Sequence, residues 1–73
     1  MGPTMKQIPI KKMLGERILK LRLARGYTQQ KAADHYECSL RWWQELERGR
    51  NVSLLVLQKV AKTLKVEVWE LLK

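Results

Sequence analysis

The chain has 73 residues, room for one domain with one modest core. Its 45% hydrophobic content excludes a compositionally disordered chain, and no apolar run approaches the roughly 18 residues of a membrane span. Fifteen lysines and arginines against seven acidic residues leave a net charge of +8, which favours a polyanionic partner: DNA, RNA or an anionic membrane surface.

Residues 1–12 contain Gly2, Pro3 and Pro9 and show little periodicity, so they read as a flexible N-terminal arm carrying Lys6, Lys11 and Lys12. Residues 1–4 are expected to be a cloning remnant ahead of a natural start at Met5. The arm is either a disordered solubilising tail or a segment lying along a DNA backbone or in a minor groove. It lacks an apolar core followed by small residues, so no signal peptide is predicted and the expected location is the cytosol.

The ordered domain is predicted over 13–73. A first helix is expected over 13–25, where Leu14, Ile18, Leu21 and Arg22 recur on one face. Glu16 suits the positive end of its dipole, and Lys20, Arg22 and Arg25 the negative end. Gly26 supplies a left-handed stop. A second helix over 29–36 starts at the cap Thr28. Ala32 and Tyr36 face inward with Ala33 beside them, and the two alanines permit close approach of another helix. Glu37 and Cys38 form a tight turn. A third helix over 40–48 opens at the cap Ser39, closes at Gly49, and turns Trp43 and Leu46 inward. A fourth helix over 54–64 follows Ser53, with Leu54, Leu57, Val60, Ala61 and Leu64 as its apolar stripe. A short fifth helix is expected over 68–72. Val66-Glu67-Val68 alternates but is too short for a strand, so the fold class is all-α.

Cys38 is the only cysteine and His35 the only histidine. That composition excludes an internal disulfide and a cysteine-based zinc site. The two stand three residues apart with nothing nearby to orient them as a nucleophile pair, and no carboxylate pair, metal cluster or phosphate-binding glycine loop is present. An enzyme, a cofactor and a small-molecule ligand are therefore not expected.

The two short helices around the 37–38 turn, the second carrying Arg41 and Gln44, have the form of a helix-turn-helix whose second helix enters a DNA major groove. In combination, several motifs resemble the lambda-repressor-like (Cro/C1, XRE-type) helix-turn-helix regulators: Arg17-Ile18 and Leu21-Arg22, then Gly26-Tyr27-Thr28-Gln29, Ala33, Ser39, Glu47-Arg48-Gly49, and Leu57 with Val60-Ala61-Lys62 and Leu64. The resemblance covers roughly 14–72. It implies a five-helix DNA-binding bundle and a buried structural pair between Arg22 and Glu47, for which a guanidinium–carboxylate fork is suited. The rival role for Arg22 is a phosphate contact. The chain departs from the family pattern in and around the helix-turn-helix. Glu37 stands where the turn usually has Gly, at a cost of roughly 1–2 kcal/mol if the backbone keeps positive φ; otherwise the turn is remodelled. Ala32 replaces a usual Leu and Trp43 a small β-branched residue, two changes that can offset each other in volume. Val52 stands where Pro is common.

Position by position, the resemblance turns Leu40, Arg41, Gln44 and Glu45 toward bases. Arg41 can fork onto guanine O6 and N7, Gln44 can pair with adenine, Glu45 can accept from cytosine N4, and Leu40 can touch a thymine methyl. Gln44 and Glu45 can instead brace Arg41. Trp42 is expected at the edge of the core, either half-exposed or against a DNA sugar or thymine methyl. Backbone phosphates are expected at Gln29, Arg48, Arg50 and Asn51, with Lys31 and Tyr27 as weaker candidates.

Leu55, Val56 and Trp69 stand where the family usually has polar residues, and Leu72 is near them in sequence. An exposed apolar patch there predicts a two-fold homodimer. The leading reading is a stand-alone repressor or controller that binds a palindromic operator on double-stranded DNA. The alternative is an antitoxin-type module that neutralises a toxin partner and represses its own operon. A membrane binder is disfavoured because the basic residues are spread around several capped helices.

Overall fold

The computed structural model describes residues 10–73. Among them five helices occur in the order α1 (Ile10–Ala24), α2 (Gln29–Tyr36), α3 (Leu40–Gly49), α4 (Leu54–Leu64) and α5 (Val68–Leu71), with no strand. The expected arm, Lys6 included, otherwise lies outside the described residues, but Lys11 and Lys12 do not belong to it: they are in the first turn of α1. That turn is held by tertiary packing. The α1 backbone at Lys12 passes so close to Gly49 that a Cβ there would lie 2.9 Å from Lys12 Cα.

Short polar side chains set three of the helix starts. Thr28 Oγ1 accepts from the Lys31 N–H at 3.0 Å, Ser39 Oγ from the Trp42 N–H at 3.0 Å and Ser53 Oγ from the Val56 N–H at 3.2 Å. Each satisfies a donor that the first helical turn leaves unpaired. The helix α3 includes Gly49, one residue beyond the expected end, and α5 stops one residue short of it.

The core is built from Ile18, Ala32, Ala33, Tyr36, Trp43, Leu46, Leu57, Val60, Ala61, Leu64 and Leu71. Ala32 and Ala33 are fully buried and bring α2 close to its neighbours, while Trp43 fills the centre without exposure. Leu54 is a correction: it is 74% exposed and takes no part in the α4 stripe. Leu54 to Leu57 are four apolar residues in succession, and a helix can bury only one side of such a run.

Arginine side chains fasten the termini. Arg17 Nε donates to the Glu70 carbonyl at 3.0 Å, joining α1 to α5. Arg25 donates from Nε to Leu64 O at 2.8 Å and from Nη2 to Lys65 O at 2.5 Å. Both carbonyls lie at the α4 C-terminus, where helix geometry leaves acceptors free. Among the described residues no helix is long and apolar enough to cross a membrane.

Candidate nucleic-acid interface

The turn between α2 and α3 retains the left-handed form. Glu37 has φ 72° and ψ 47°. Its N–H donates to Ala33 O at 2.8 Å, and the Cys38 N–H donates to the same carbonyl at 2.9 Å. A non-glycine residue thus occupies a conformation that normally favours Gly, and α3 leaves the turn without remodelling.

The inner side of α3 buries Trp43, Leu46 and Glu47. Leu40, Arg41 and Arg48 are exposed on its outer side, and Gln44 and Glu45 are half-exposed between them. The helix is held to α1 through one buried carboxylate. Glu47 accepts from Arg22 Nε at 2.5 Å and Nη2 at 3.2 Å, from Trp43 Nε1 at 2.6 Å and from Gln29 Nε2 at 2.9 Å. Arg22 Nη1 also donates to Tyr27 O at 2.7 Å. With side-chain exposures of 7% and 5%, Arg22 and Glu47 are out of reach of a phosphate in this conformation.

Gly15 is the counterpart of that pair on α1, and the sequence reading did not single it out. A Cβ there would lie 2.5 Å from Glu47 O and 2.9 Å from Leu46 O, both backbone atoms. Its spacing from Ile18 and Arg22, three and seven residues, was the available signal.

Two side-chain networks organise the outer face. In one, Gln44 Nε2 donates to Gln29 Oε1 at 3.3 Å, so the first residue of α2 touches the fifth of α3. In the other, Glu45 lies between two arginines: Arg41 Nε at 3.5 Å and Arg50 Nη1 at 3.3 Å. The guanidinium of Arg50 also lies 5.0 Å from the centre of the Trp42 ring, and that ring stacks on Tyr36 at 4.9 Å. Trp42 is therefore half-buried between an aromatic and a cation. Neither the Tyr36–Trp42 stack nor the Arg50–Trp42 pairing was expected. The Arg41 side chain is 88% exposed, and such a pair in water is worth only about 0–1 kcal/mol, so Glu45 biases the orientation of the Arg41 head without locking it.

The remaining candidates are spread around this face. Arg48 is exposed at the end of α3 and Asn51 after it, and Lys31 is exposed on α2 with its ammonium 5.2 Å from the Tyr27 ring centre. Tyr27 in turn stacks on His35 at 5.2 Å. Burial pushes the Cys38 thiol above its ordinary value; Lys59 opposes that shift and Asp34 adds to it. Burial likewise raises the Tyr36 hydroxyl, with Cys38 adding and Arg50 opposing.

The residues expected to form a second surface lie in different surroundings. Leu55 is 76% exposed and lines a groove with His35, Lys59 and Lys62. Trp69 is 59% exposed, with the Lys73 ammonium 5.1 Å from its ring centre. Val56 is half-buried against the core. Leu72 is exposed but lines another groove, with Ile10, Met13 and Leu14 of α1.

Known structures share this fold. The restriction-modification controller protein C.AhdI from Aeromonas hydrophila has 36% identity and a TM-score of 0.77, covering 82% of this chain and 92% of its own. The clp gene regulator ClgR from C. glutamicum has 28% identity and a TM-score of 0.84, covering 92% of this chain and 87% of its own. A hypothetical transcription factor, NHTF from Neisseria, shares the fold at 20% identity and a TM-score of 0.81, covering 100% and 87%. No curated protein matches the chain. The family model described as a helix-turn-helix domain matches residues 13–71, and with that match the chain belongs to the lambda-repressor-like (Cro/C1, XRE-type) helix-turn-helix family.

Proposed function

We propose that the chain is a sequence-specific transcription regulator that binds double-stranded DNA through α3 in the major groove. The observation that carries this reading is the outer face of α3. Leu40, Arg41, Gln44 and Glu45 share it, on a helix fixed from behind by the Glu47 network. Arg41 offers the fork that guanine requires, and Gln44 the donor–acceptor pair that adenine requires. Gln29, Lys31, Trp42, Arg48, Arg50 and Asn51 surround that face and are assigned to the sugar-phosphate backbone. The likeness to a restriction-modification controller and to a clp gene regulator supports the same class, and supports a repressor or controller over an enzyme.

The regulator acts as a homodimer on a palindromic operator. Of the residues expected there, Leu55, Trp69 and Leu72 are exposed apolar side chains, which supports a two-fold contact, while Val56 packs against the core. Two copies of α3 one DNA turn apart, about 34 Å, would read equivalent half-sites.

Selection of bound duplexes from a random pool tests this reading, repeated with Arg41→Ala. The expected result is a palindrome whose preference disappears at one position per half-site in the variant. If six phosphates are neutralised, the log–log dependence of affinity on salt has a slope near about −5. Binding without sequence preference, or a slope near zero, would exclude the assignment. Sedimentation of Trp69→Glu is expected to show monomers, and an unchanged dimer would remove α5 from the interface.

A further inference from the structure

An aromatic stack runs from the core to the outer face of α3 and ends in a cation. Trp43 is fully buried, and Tyr36 meets it edge-on with ring centres 6.1 Å apart. Trp42 stacks on Tyr36 at 4.9 Å, with 23° between the planes. The Arg50 guanidinium lies 5.0 Å from the centre of the Trp42 ring. Trp42 is in the first turn of α3, and Arg50 follows its last residue. Helical side chains lean toward the helix N-terminus, so Arg50 must double back along α3 to reach that ring. Its Nη1 meets Glu45 Oε1 on the way, at 3.3 Å. A guanidinium stacks by its flat face and keeps its N–H edges for other partners. Neither the stack nor the Glu45 contact uses the edge that carries Nε and Nη2, a two-pronged donor that fits a phosphate. Glu45 also pairs with Arg41 Nε at 3.5 Å, so the two arginines flank one carboxylate.

We propose that Trp42 is a positioning residue that holds Arg50 back along α3, so that its Nε–Nη2 edge grips one backbone phosphate beside the base that Arg41 reads. The inference rests on the reading of α3 as a major-groove helix, and it narrows the backbone role of Trp42 to an action through Arg50. The physical gain is preorganisation. A long side chain that is already ordered on a ring rooted in the core loses less freedom when it binds. Without the ring, Arg50 would extend from the end of α3, away from the helix start where Arg41 stands.

The test uses the full chain and the duplex selected from the random pool. Wild type, Arg50→Ala, Trp42→Leu, Trp42→Phe and the Trp42→Leu/Arg50→Ala double variant are titrated across a range of salt, and melting is followed without DNA. Arg50→Ala is expected to make the log–log salt slope shallower by about 0.9 per half-site, the value of one phosphate. Trp42→Leu is expected to do the same although it removes no charge, and Trp42→Phe, which keeps a ring, to retain most of the slope. The double variant is expected to match Arg50→Ala, because the two residues act as one unit. Base preferences are expected to stay unchanged throughout, since a phosphate contact carries no sequence information. A purely structural role for Trp42 would lower the melting temperature and leave the slope alone, and an unchanged slope in Trp42→Leu overturns the proposal. Further weakening by Trp42→Leu in the Arg50→Ala background, or a lost preference at a thymine, also overturns it in favour of direct contact. A second measurement needs no Trp42 variant to fold. Phosphates of the duplex are neutralised one at a time as methylphosphonates. One per half-site is expected to weaken wild type but not Arg50→Ala, and to adjoin the base whose preference Arg41→Ala abolishes. A sensitive phosphate elsewhere overturns the proposal. Wild type with no sequence preference at any salt overturns the reading of α3 itself, before any substitution is made.

Discussion

Arg22 and Glu47 form a two-pronged ion pair across 25 residues of sequence, Nε to Oε2 at 2.5 Å and Nη2 to Oε1 at 3.2 Å. Breaking a buried pair strands the surviving charge, at a cost of about 3–5 kcal/mol. A domain of this size holds about as much in total. Arg22→Ala is therefore expected to be largely unfolded at room temperature with no DNA present, by circular dichroism. A cooperative transition within a few degrees of wild type would instead assign Arg22 to DNA contact alone.

Gly15 makes an opposite kind of statement about the same contact. In an isolated helix, Gly→Ala gains about 1 kcal/mol. Here the added methyl would sit 2.5 Å from Glu47 O, which is backbone and cannot rotate away. Overpacking of this kind costs about 1–3 kcal/mol. Gly15→Ala is expected to melt several degrees below wild type, and a rise in melting temperature would show that α1 and α3 have room to spare.

Glu37 runs the other way. Its φ of 72° is strained for any residue with a Cβ. Glu37→Gly removes that strain and adds unfolded-state entropy, for a net gain of about 0.5–1 kcal/mol. In a domain this small the gain corresponds to a rise of roughly 2–8 °C in melting temperature. A fall would mean that the carboxylate makes a compensating contact.

Burial raises the Cys38 thiol, so less thiolate is present at neutral pH than in a free cysteine. Alkylation rates measured against pH are expected to give an apparent value above the ordinary thiol value of about 8.5. The linked effect on stability has a definite sign. Above that ordinary value the unfolded chain has lost its thiol proton while the folded chain still holds it, so stability falls as pH rises through the interval up to the folded value. An alkylation profile at or below the ordinary value would mean that the Lys59 charge outweighs burial at Cys38.

Much of this fold is legible locally. The limits of α2 and α4 follow from Thr28 and Ser53, whose hydroxyls cap the next turn, and from apolar residues at helical spacing behind them. The Arg22–Glu47 pair came from family resemblance, since nothing in the spacing of two residues 25 apart brings them together. What local pattern could not supply is anything decided by the approach of distant backbones. The early start of α1 depends on Gly49, and the value of Gly15 depends on Glu47; read alone, a glycine in a helix is only a weakness. The link from Gln29 to Gln44 is of the same kind. Leu54 was ambiguous because a run of four apolar residues supports more than one buried face.

Glu45 shows how far the geometry of the outer face changes the expectation for one residue. As a free carboxylate it would accept from cytosine N4. In the structure its two oxygens face Arg41 Nε at 3.5 Å and Arg50 Nη1 at 3.3 Å. Engaging Arg41 through Nε leaves its two terminal nitrogens for guanine, and engaging Arg50 holds its guanidinium over Trp42. Glu45 is half-exposed, so these pairs are worth little to stability, and Glu45→Gln is expected to melt within a degree or two of wild type. Its effect belongs to recognition. Removing one negative charge beside a polyanion strengthens binding to unrelated duplexes. Releasing Arg41 blunts the preference at the guanine that Arg41→Ala abolishes. The net expectation is a narrower gap between specific and non-specific affinity, with the change in preference confined to the Arg41 position. Loss of preference at a separate cytosine would restore Glu45 as a direct reader and remove it as the brace of the two arginines.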